Sequence, residues 1–369
     1  MANAFGIITS SAEHKVNGMQ DIRPIGGFNF LGRFCVVDFP VSNFSNSGIE
    51  EIQVYNAAKP RSLTAHLGDG RHHNLNVKRG GIELLFPTEE NLNTIYNTNI
   101  RAFLENIEYI KRKHQEYVVI APSCMVFVQD YDSLLKEHIA SGADISLLYH
   151  KVSDATEGYA TCNDLLLDGD RVVKIKANTG SNAEENIFME SFVMKKDLLI
   201  DLIYEAAGIS SRMNLTAIVD LKADSLDVRA IEHKGFFAPI TDLKSYYKSN
   251  LSLLDAATLD TLFDEDWPIY TQMTDSWPTE LYATADVKNS YICNSGEIKG
   301  NIYNSVVGRG VKVAEGATIK NCVCLSYVEL GEGAYVENQV IDKYAKIGAG
   351  EKIIGDPENP SYIKYRDKI

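Results

Sequence analysis

The sequence predicts an α/β domain on a Rossmann-like, mostly parallel sheet, followed by a C-terminal left-handed parallel β-helix. Three observations predict it. Short β-branched apolar runs alternate with helix-periodic stretches through the first half. Glycine rises and helical periodicity ends near residue 285. Beyond that point aliphatic residues recur every six positions. The length of 369 residues suits two domains, since a domain usually holds about 100–200 residues. The expected division is a first domain over 1–255, a connection over 256–285 and a β-helix over 286–369.

The apolar runs Phe5–Thr9, Cys35–Val41, Ile52–Tyr55, Tyr117–Val128 and Ile145–Val152 are short and rich in β-branched residues, which favours strands. Between them, Thr98–Lys113 places Ile100, Phe103, Leu104, Ile107 and Ile110 on one helical face. Asp132–Ser141 reads as a second helix after a strand. Strand, helix, strand implies right-handed crossovers and a mainly parallel sheet. Asp168-Gly169 between the apolar stretches of Leu165–Lys176 signals a hairpin. Ile187–Met194 reads as a strand, and Lys196–Ala207 and Leu243–Leu254 as helices. The acidic, proline-containing stretches Asp264–Pro268 and Trp277-Pro278 fall in the connection, where each proline closes the element before it.

In the tail, Val307, Val313, Ile319 and Leu325 are spaced by six, as are Leu330 and Val336, and Ile341, Ile347 and Ile353. Gly-x-Gly recurs at 308–310, 331–333 and 348–350. An inward aliphatic every six residues is the pattern of a hexapeptide β-helix, whose coils are stable only when stacked.

Composition narrows the function classes. The formal net charge is -14, so the surface repels nucleic-acid phosphates and anionic lipid, and neither is an expected partner. Six cysteines without a C-x-x-C pair lack the usual zinc and redox spacings and fit a reducing, cytoplasmic location. Cys322 and Cys324 share a strand face, as core residues do. No secretory leader and no run of about 18 apolar residues is expected to be present.

The segment Val36–Ile49, VVDFPVSNFSNSGI, resembles the hydrophobic-hydrophobic-Asp-Phe-x-Leu-Ser-Asn-x-x-Asn-Ser-Gly-Ile signature of glucose-1-phosphate adenylyltransferases (ADP-glucose pyrophosphorylases). Tyr117–Tyr131 occupies the place of that family's second landmark, and the β-helix matches its C-terminal domain. The resemblance implies a nucleotidyltransferase fold. It also implies a reaction joining glucose 1-phosphate to ATP with release of pyrophosphate, an in-line transfer resting on positioning and charge neutralisation. Such a site uses a glycine-rich phosphate loop, a basic residue and two aspartates for Mg²⁺.

This chain departs from each of those. Where the family has Gly-Gly-x-Gly-x-Arg, it has Ser10-Ser11-Ala12-Glu13-His14-Lys15. Only Lys15 keeps the basic character, and Glu13 adds negative charge where phosphates belong. Cys124 stands where the first metal aspartate belongs, and a thiol is a poor Mg²⁺ ligand. Pro239 replaces the second, with Asp242 three residues away. The sugar-phosphate segments fall on Glu90–Thr94 and Lys176–Asn178 and are altered too. The expectation is that the Mg²⁺ site is lost, that no metal or cofactor is held, and that none of Ser10, Ser11, Glu13, Lys15, Cys124 or Pro239 is catalytic.

Residues 59–79 form a basic cluster in an acidic chain. Lys59, Arg61, Arg71, His72, Lys78 and Arg79 could clamp the oxygens of a phosphorylated effector, or be a solvated loop or a partner interface. A metal held by the histidines of this stretch lacks an evident third ligand in the sequence. Cys124, at the end of a buried strand, reads as a structural thiol.

These departures resemble the GlgD-type regulatory subunit of Gram-positive bacteria, which implies assembly with a catalytic homologue, as a heterotetramer, in glycogen synthesis. Two alternatives remain open on the sequence: an active adenylyltransferase with a relocated metal site, and a sugar-phosphate-binding scaffold.

Overall fold

A computed structural model describes residues 3–10, 14–16, 18–56, 59–87, 98–156 and 158–369. The first domain is built on a nine-stranded sheet. Its strands are β1 (Ala4–Thr9), β2 (Glu51–Tyr55), β3 (Gly81–Leu85), β4 (Tyr117–Pro122), β5 (Ile145–Val152), β6 (Asn163–Asp168), β7 (Arg171–Ala177), β8 (Glu185–Lys195) and β9 (Val228–Glu232). Their spatial order is β3-β2-β1-β4-β8-β5-β9-β7-β6. The strands β3, β2, β1 and β4 are mutually parallel, as are β5 and β9, while β8 and β7 run against their neighbours. The sheet is therefore mostly parallel in strand direction.

Both faces of the sheet are covered. In β1, Phe5 and Ile7 point into one buried core and Ala4 and Ile8 into the other, following the two-residue period of a strand. The Asp38–Asn46 helix, buried from Asp38 to Phe44, lies against β1 so closely that a Cβ on Gly6 would come within 2.8 Å of the Phe44 ring. Glycine is needed there for the close approach.

Several elements differ from the sequence reading. The run Cys35–Val41 is not one strand: Phe34–Cys35 ends a two-stranded hairpin, and the Asp38–Asn46 helix begins three residues on. Asp38 accepts the Cys35 N–H at 2.7 Å, which turns the chain there. Thr98–Lys113 breaks at Asn106 into Asn99–Glu105 and Ile107–Lys111. Tyr117–Val128 divides into β4 and the short strand Met125–Phe127.

The tail forms three parallel five-stranded sheets, one per face of a left-handed β-helix. Its first strand is Glu280–Leu281, inside the stretch expected to be connection. From the third coil on, most ladder steps are 17 residues, as in Val313↔Leu330↔Ile347 and Ile319↔Val336↔Ile353. A coil of 17 rather than 18 accounts for the one-residue slips in the six-residue pattern. It also puts Cys324, not Leu325, in the column of Val307 and Ile341. Leu325 is buried on the outside, in the core shared with the first domain. Cys322 and Cys324 are fully buried in the β-helix interior.

The two domains share that core through Val306, Val323, Leu325 and Val340. A buried ion pair joins them, Arg23 Nη2 to Asp342 Oδ1 at 2.9 Å. The Leu243–Ser252 helix adds a hydrogen bond from the Tyr247 hydroxyl to the Asn321 carbonyl, 2.7 Å. Among the described residues, no helix is long and apolar enough to cross a membrane.

Candidate functional site

In an open parallel sheet the ligand crevice lies at the carboxyl ends of the strands. Here β1 ends at Thr9 and β4 at Pro122, and the Ser123 N–H donates to the Thr9 carbonyl at 2.8 Å. Ser10 begins the loop after β1 and is partly exposed; Lys15 is exposed; His14 between them is buried. Ser11 and Glu13 lie outside the described residues, as do Glu90–Thr94 of the sugar-phosphate segment.

Cys124 follows β4 and is fully buried. The next strand, Met125–Phe127, pairs antiparallel with Phe237–Pro239, with Met125 opposite Pro239. The Ile240 N–H closes this ribbon on the Cys124 carbonyl at 2.8 Å. The two positions that the resemblance assigns to metal aspartates are thus brought side by side. A hard cation such as Mg²⁺ takes oxygen ligands, and neither the thiol of Cys124 nor the ring of Pro239 offers one, so these positions do not fit it. Asp242, three residues on, caps the Leu243–Ser252 helix by accepting the Ser245 N–H at 2.7 Å. It also lines a cavity of about 240 Å³ with Tyr159, Phe237, Pro239, Lys244 and Lys248.

Two residues of this crevice escaped the sequence reading. His14 and Glu190 gather around Cys124, with one ligand atom from each of the three within 4.8 Å of the others. His14 Nε2 is 3.5 Å from Glu190 Oε1. Glu190 sits in a bulge of β8, where the register slips between Phe188 and Ser191, and its φ is +47°. A non-glycine residue held in the left-handed region is costly and marks a constrained position. The available signal was an acid inside the mostly apolar run Ile187–Met194.

The signature segment does structural work. Asn43 Nδ2 donates to the Phe127 carbonyl at 2.9 Å, and Asn43 Oδ1 accepts from Trp267 Nε1 at 3.2 Å. Ser42 accepts the Tyr270 N–H at 2.9 Å, Asn46 donates to the Pro268 carbonyl at 3.0 Å, and Ser47 accepts the Tyr131 N–H at 2.9 Å. These bonds fasten the 264–270 connection and the Tyr131–Ser141 helix to one buried helix. Asp38, also buried, contacts His66 Nε2 at 2.6 Å and His73 Nε2 at 2.9 Å through a single oxygen. Burial alone pushes the Asp38 carboxyl up, but the two imidazoles hold it well below the usual range. Burial disfavours charge on His66 as well, yet neighbouring Cys35 and Asp38 raise it to about 11. The partners of the histidines, invisible in the local spacing, are Asp38 and Cys35, about 30 residues upstream.

The basic cluster is spread over the Arg61–Leu67 helix, the Arg71–His73 turn and the loop after it. Lys59, Arg61, Arg71, His72, Lys78 and Arg79 are all exposed. Lys59 donates to the Gln20 carbonyl at 2.6 Å, and Arg71 is paired with Asp69 at 2.9 Å.

Comparison with known proteins agrees with this architecture. Residues 27–177 match the nucleotidyl transferase family model, and residues 279–364 match the GlmU-like C-terminal hexapeptide model. The chain is 31% identical over 298 residues to a glucose-1-phosphate adenylyltransferase of Thermosipho africanus, covering 79% of this chain and 71% of that protein. It is 29% identical over 293 residues to the enzyme of the same name from Lachnospira eligens, covering 78% and 68%. It is 30% identical over 308 residues to the glycogen biosynthesis protein GlgD of Geobacillus stearothermophilus, covering 80% and 77%. With its two domains, its signature segment and these relatives, the chain belongs to the glucose-1-phosphate adenylyltransferase family.

Proposed function

We propose that this chain acts in glycogen biosynthesis as a regulatory subunit of a glucose-1-phosphate adenylyltransferase, without appreciable turnover of its own. The observation that carries the reading is the adjacency of Cys124 and Pro239: both positions expected to hold metal aspartates lie on one ribbon, and both lack a carboxylate. In nucleotidyl transfer, Mg²⁺ held by carboxylates neutralises charge on the phosphate oxygens. Cys124 and Pro239 cannot hold that ion, and Asp242 is engaged at a helix N-terminus. Ser10, without the flexibility of glycine, also makes a poor phosphate loop.

The partner in this reading is a catalytic homologue, in a hetero-oligomer with four subunits. Regulation follows if contacts between the two chains differ between the catalyst's conformations, since such contacts shift populations. The exposed side chains of Lys59, Arg61, Arg71, His72, Lys78 and Arg79 are the proposed seat of a phosphorylated effector. Several arginines in one surface stretch suit anionic oxygens.

The test is an assay of the purified chain alone and mixed with a catalytic homologue. Alone, it is expected to release no pyrophosphate from ATP and glucose 1-phosphate. Mixed, it co-elutes and changes turnover or effector response. Robust pyrophosphate release by the chain alone, or no association with the homologue, defeats the proposal.

A further inference from the structure

We propose that His14, Cys124 and Glu190 form a binding site for a borderline-soft divalent cation of the Zn²⁺ class, in the crevice where the family resemblance calls for Mg²⁺. Their donors are an imidazole nitrogen, a thiol sulfur and a carboxylate oxygen, all within 4.8 Å of one another. Zn²⁺ takes these ligands at about 2.0–2.3 Å in a tetrahedral arrangement, with a fourth position open to water or an external ligand. Two N or O ligands on one tetrahedral ion stand about 3.4 Å apart. His14 Nε2 and Glu190 Oε1 stand 3.5 Å apart. Among the described residues a second such group, Cys35, Asp38 and His66, differs. Asp38 lies 2.6 Å from His66 and 2.9 Å from His73, which are direct hydrogen-bond lengths with no room for an ion between.

Three further observations point the same way. His14 and Cys124 are buried, and Glu190 is the most exposed of the three. The bulge in β8 and the left-handed backbone of Glu190 hold an acid where a regular strand would direct it elsewhere. The three ligands come from separate segments anchored by the sheet: the loop after β1, the residue two past β4, and β8 itself. The substitution that removes a hard-cation ligand at residue 124 thus supplies a soft one.

This inference is independent of the regulatory reading, because it concerns the isolated chain. The experiment uses the full-length protein stripped of metal with a chelator. Zn²⁺ is titrated in competition with a chromophoric chelator, and Co²⁺ is added as a spectroscopic stand-in. The expected result is one equivalent of Zn²⁺, undisplaced by millimolar Mg²⁺, and a thiolate-to-Co²⁺ charge-transfer band. Cys124→Ser removes the band, and Glu190→Gln weakens Zn²⁺ binding by more than roughly 100-fold, beyond the loss an outer-shell partner gives. Glu190→Gln also keeps the chain fold testable if the buried serine variant does not fold. A wild-type chain that gives no band and holds no Zn²⁺ overturns the proposal. So does a Cys124→Ser or Glu190→Gln protein that binds Zn²⁺ as wild type does.

Discussion

The ion pair between the domains provides the sharpest test of how the molecule holds together. Arg23 and Asp342 are 319 residues apart, and their side chains are 4% and 0% exposed. Asp342 is saturated: Arg23 Nη2 reaches both its oxygens at 2.9 and 3.1 Å, the Tyr362 hydroxyl donates at 2.6 Å and the Lys343 N–H at 2.6 Å. The perturbation is Arg23→Met, which keeps the aliphatic bulk and strands the carboxylate. Loss of one partner of a buried pair costs about 3–5 kcal/mol. Tyr362 and Lys343 still hold Asp342, so the lower end of that range, about 3 kcal/mol, is expected. Asp342→Asn keeps those contacts in part and strands the guanidinium, at a similar cost. The double variant leaves no unpaired charge and is expected to cost less than the two singles together, by about 1–3 kcal/mol. Equilibrium urea unfolding, followed by fluorescence and circular dichroism together, measures all four corners of the cycle. Single costs below about 1 kcal/mol, or additivity within about 0.5 kcal/mol, would refute the claim that this pair couples the domains.

Three further outcomes are expected. Asp38→Asn removes the carboxylate that holds the charge on partly buried His66, and breaking this pair destabilises the chain by about 3–5 kcal/mol in denaturant titration at neutral pH. His233 is buried, and burial together with nearby His150 lowers its pKa to about 4. The unfolded chain binds a proton below about 6.5 that the native chain refuses until about pH 4. Stability therefore falls on acidification across that window, by up to roughly 3 kcal/mol, and His233→Gln flattens that part of the pH–stability profile. In the β-helix, Ile319→Ala empties the Ile302–Ile319–Val336 column and costs about 2–5 kcal/mol. Calorimetry reads this as a lower Tm, whereas Lys312→Ala on the solvent face changes it little.

Much of the fold was legible because it rests on local periodicity. A strand such as Ile145–Val152 or a hairpin around Gly169 is specified by neighbours in sequence. So were the aliphatic columns of the β-helix, and the slip at Leu325 arose because a 17-residue coil does not divide into equal sixes. The segment Cys35–Val41 was misread because apolar residues bury themselves in either secondary structure, and Asp38 decides the matter through a contact with the backbone of Cys35. The candidate site could be approached from the sequence only as positions, Cys124 and Pro239, that the resemblance fixes by number and the fold sets on one ribbon. It was not legible at Glu190, which reaches the crevice only through an irregularity in the strand pairing. The histidine partners were missed for a similar reason, since Asp38 and His73 meet through folding alone.

The five polar clamps of the Asp38–Asn46 helix and its cap Ser47 bear on how such a lineage is recognised. Ser42, Asn43, Asn46 and Ser47 fasten a connector and a helix, through bonds to Phe127, Tyr131, Trp267, Pro268 and Tyr270. Architecture of this sort is under pressure to persist for as long as the protein must fold, whatever has become of the chemistry. The longest ancestral fingerprint in the chain is thereby a record of scaffolding. Under the regulatory reading proposed above, folding alone is reason enough for the segment to survive, and the difference from a working catalyst rests on crevice positions such as Cys124 and Pro239.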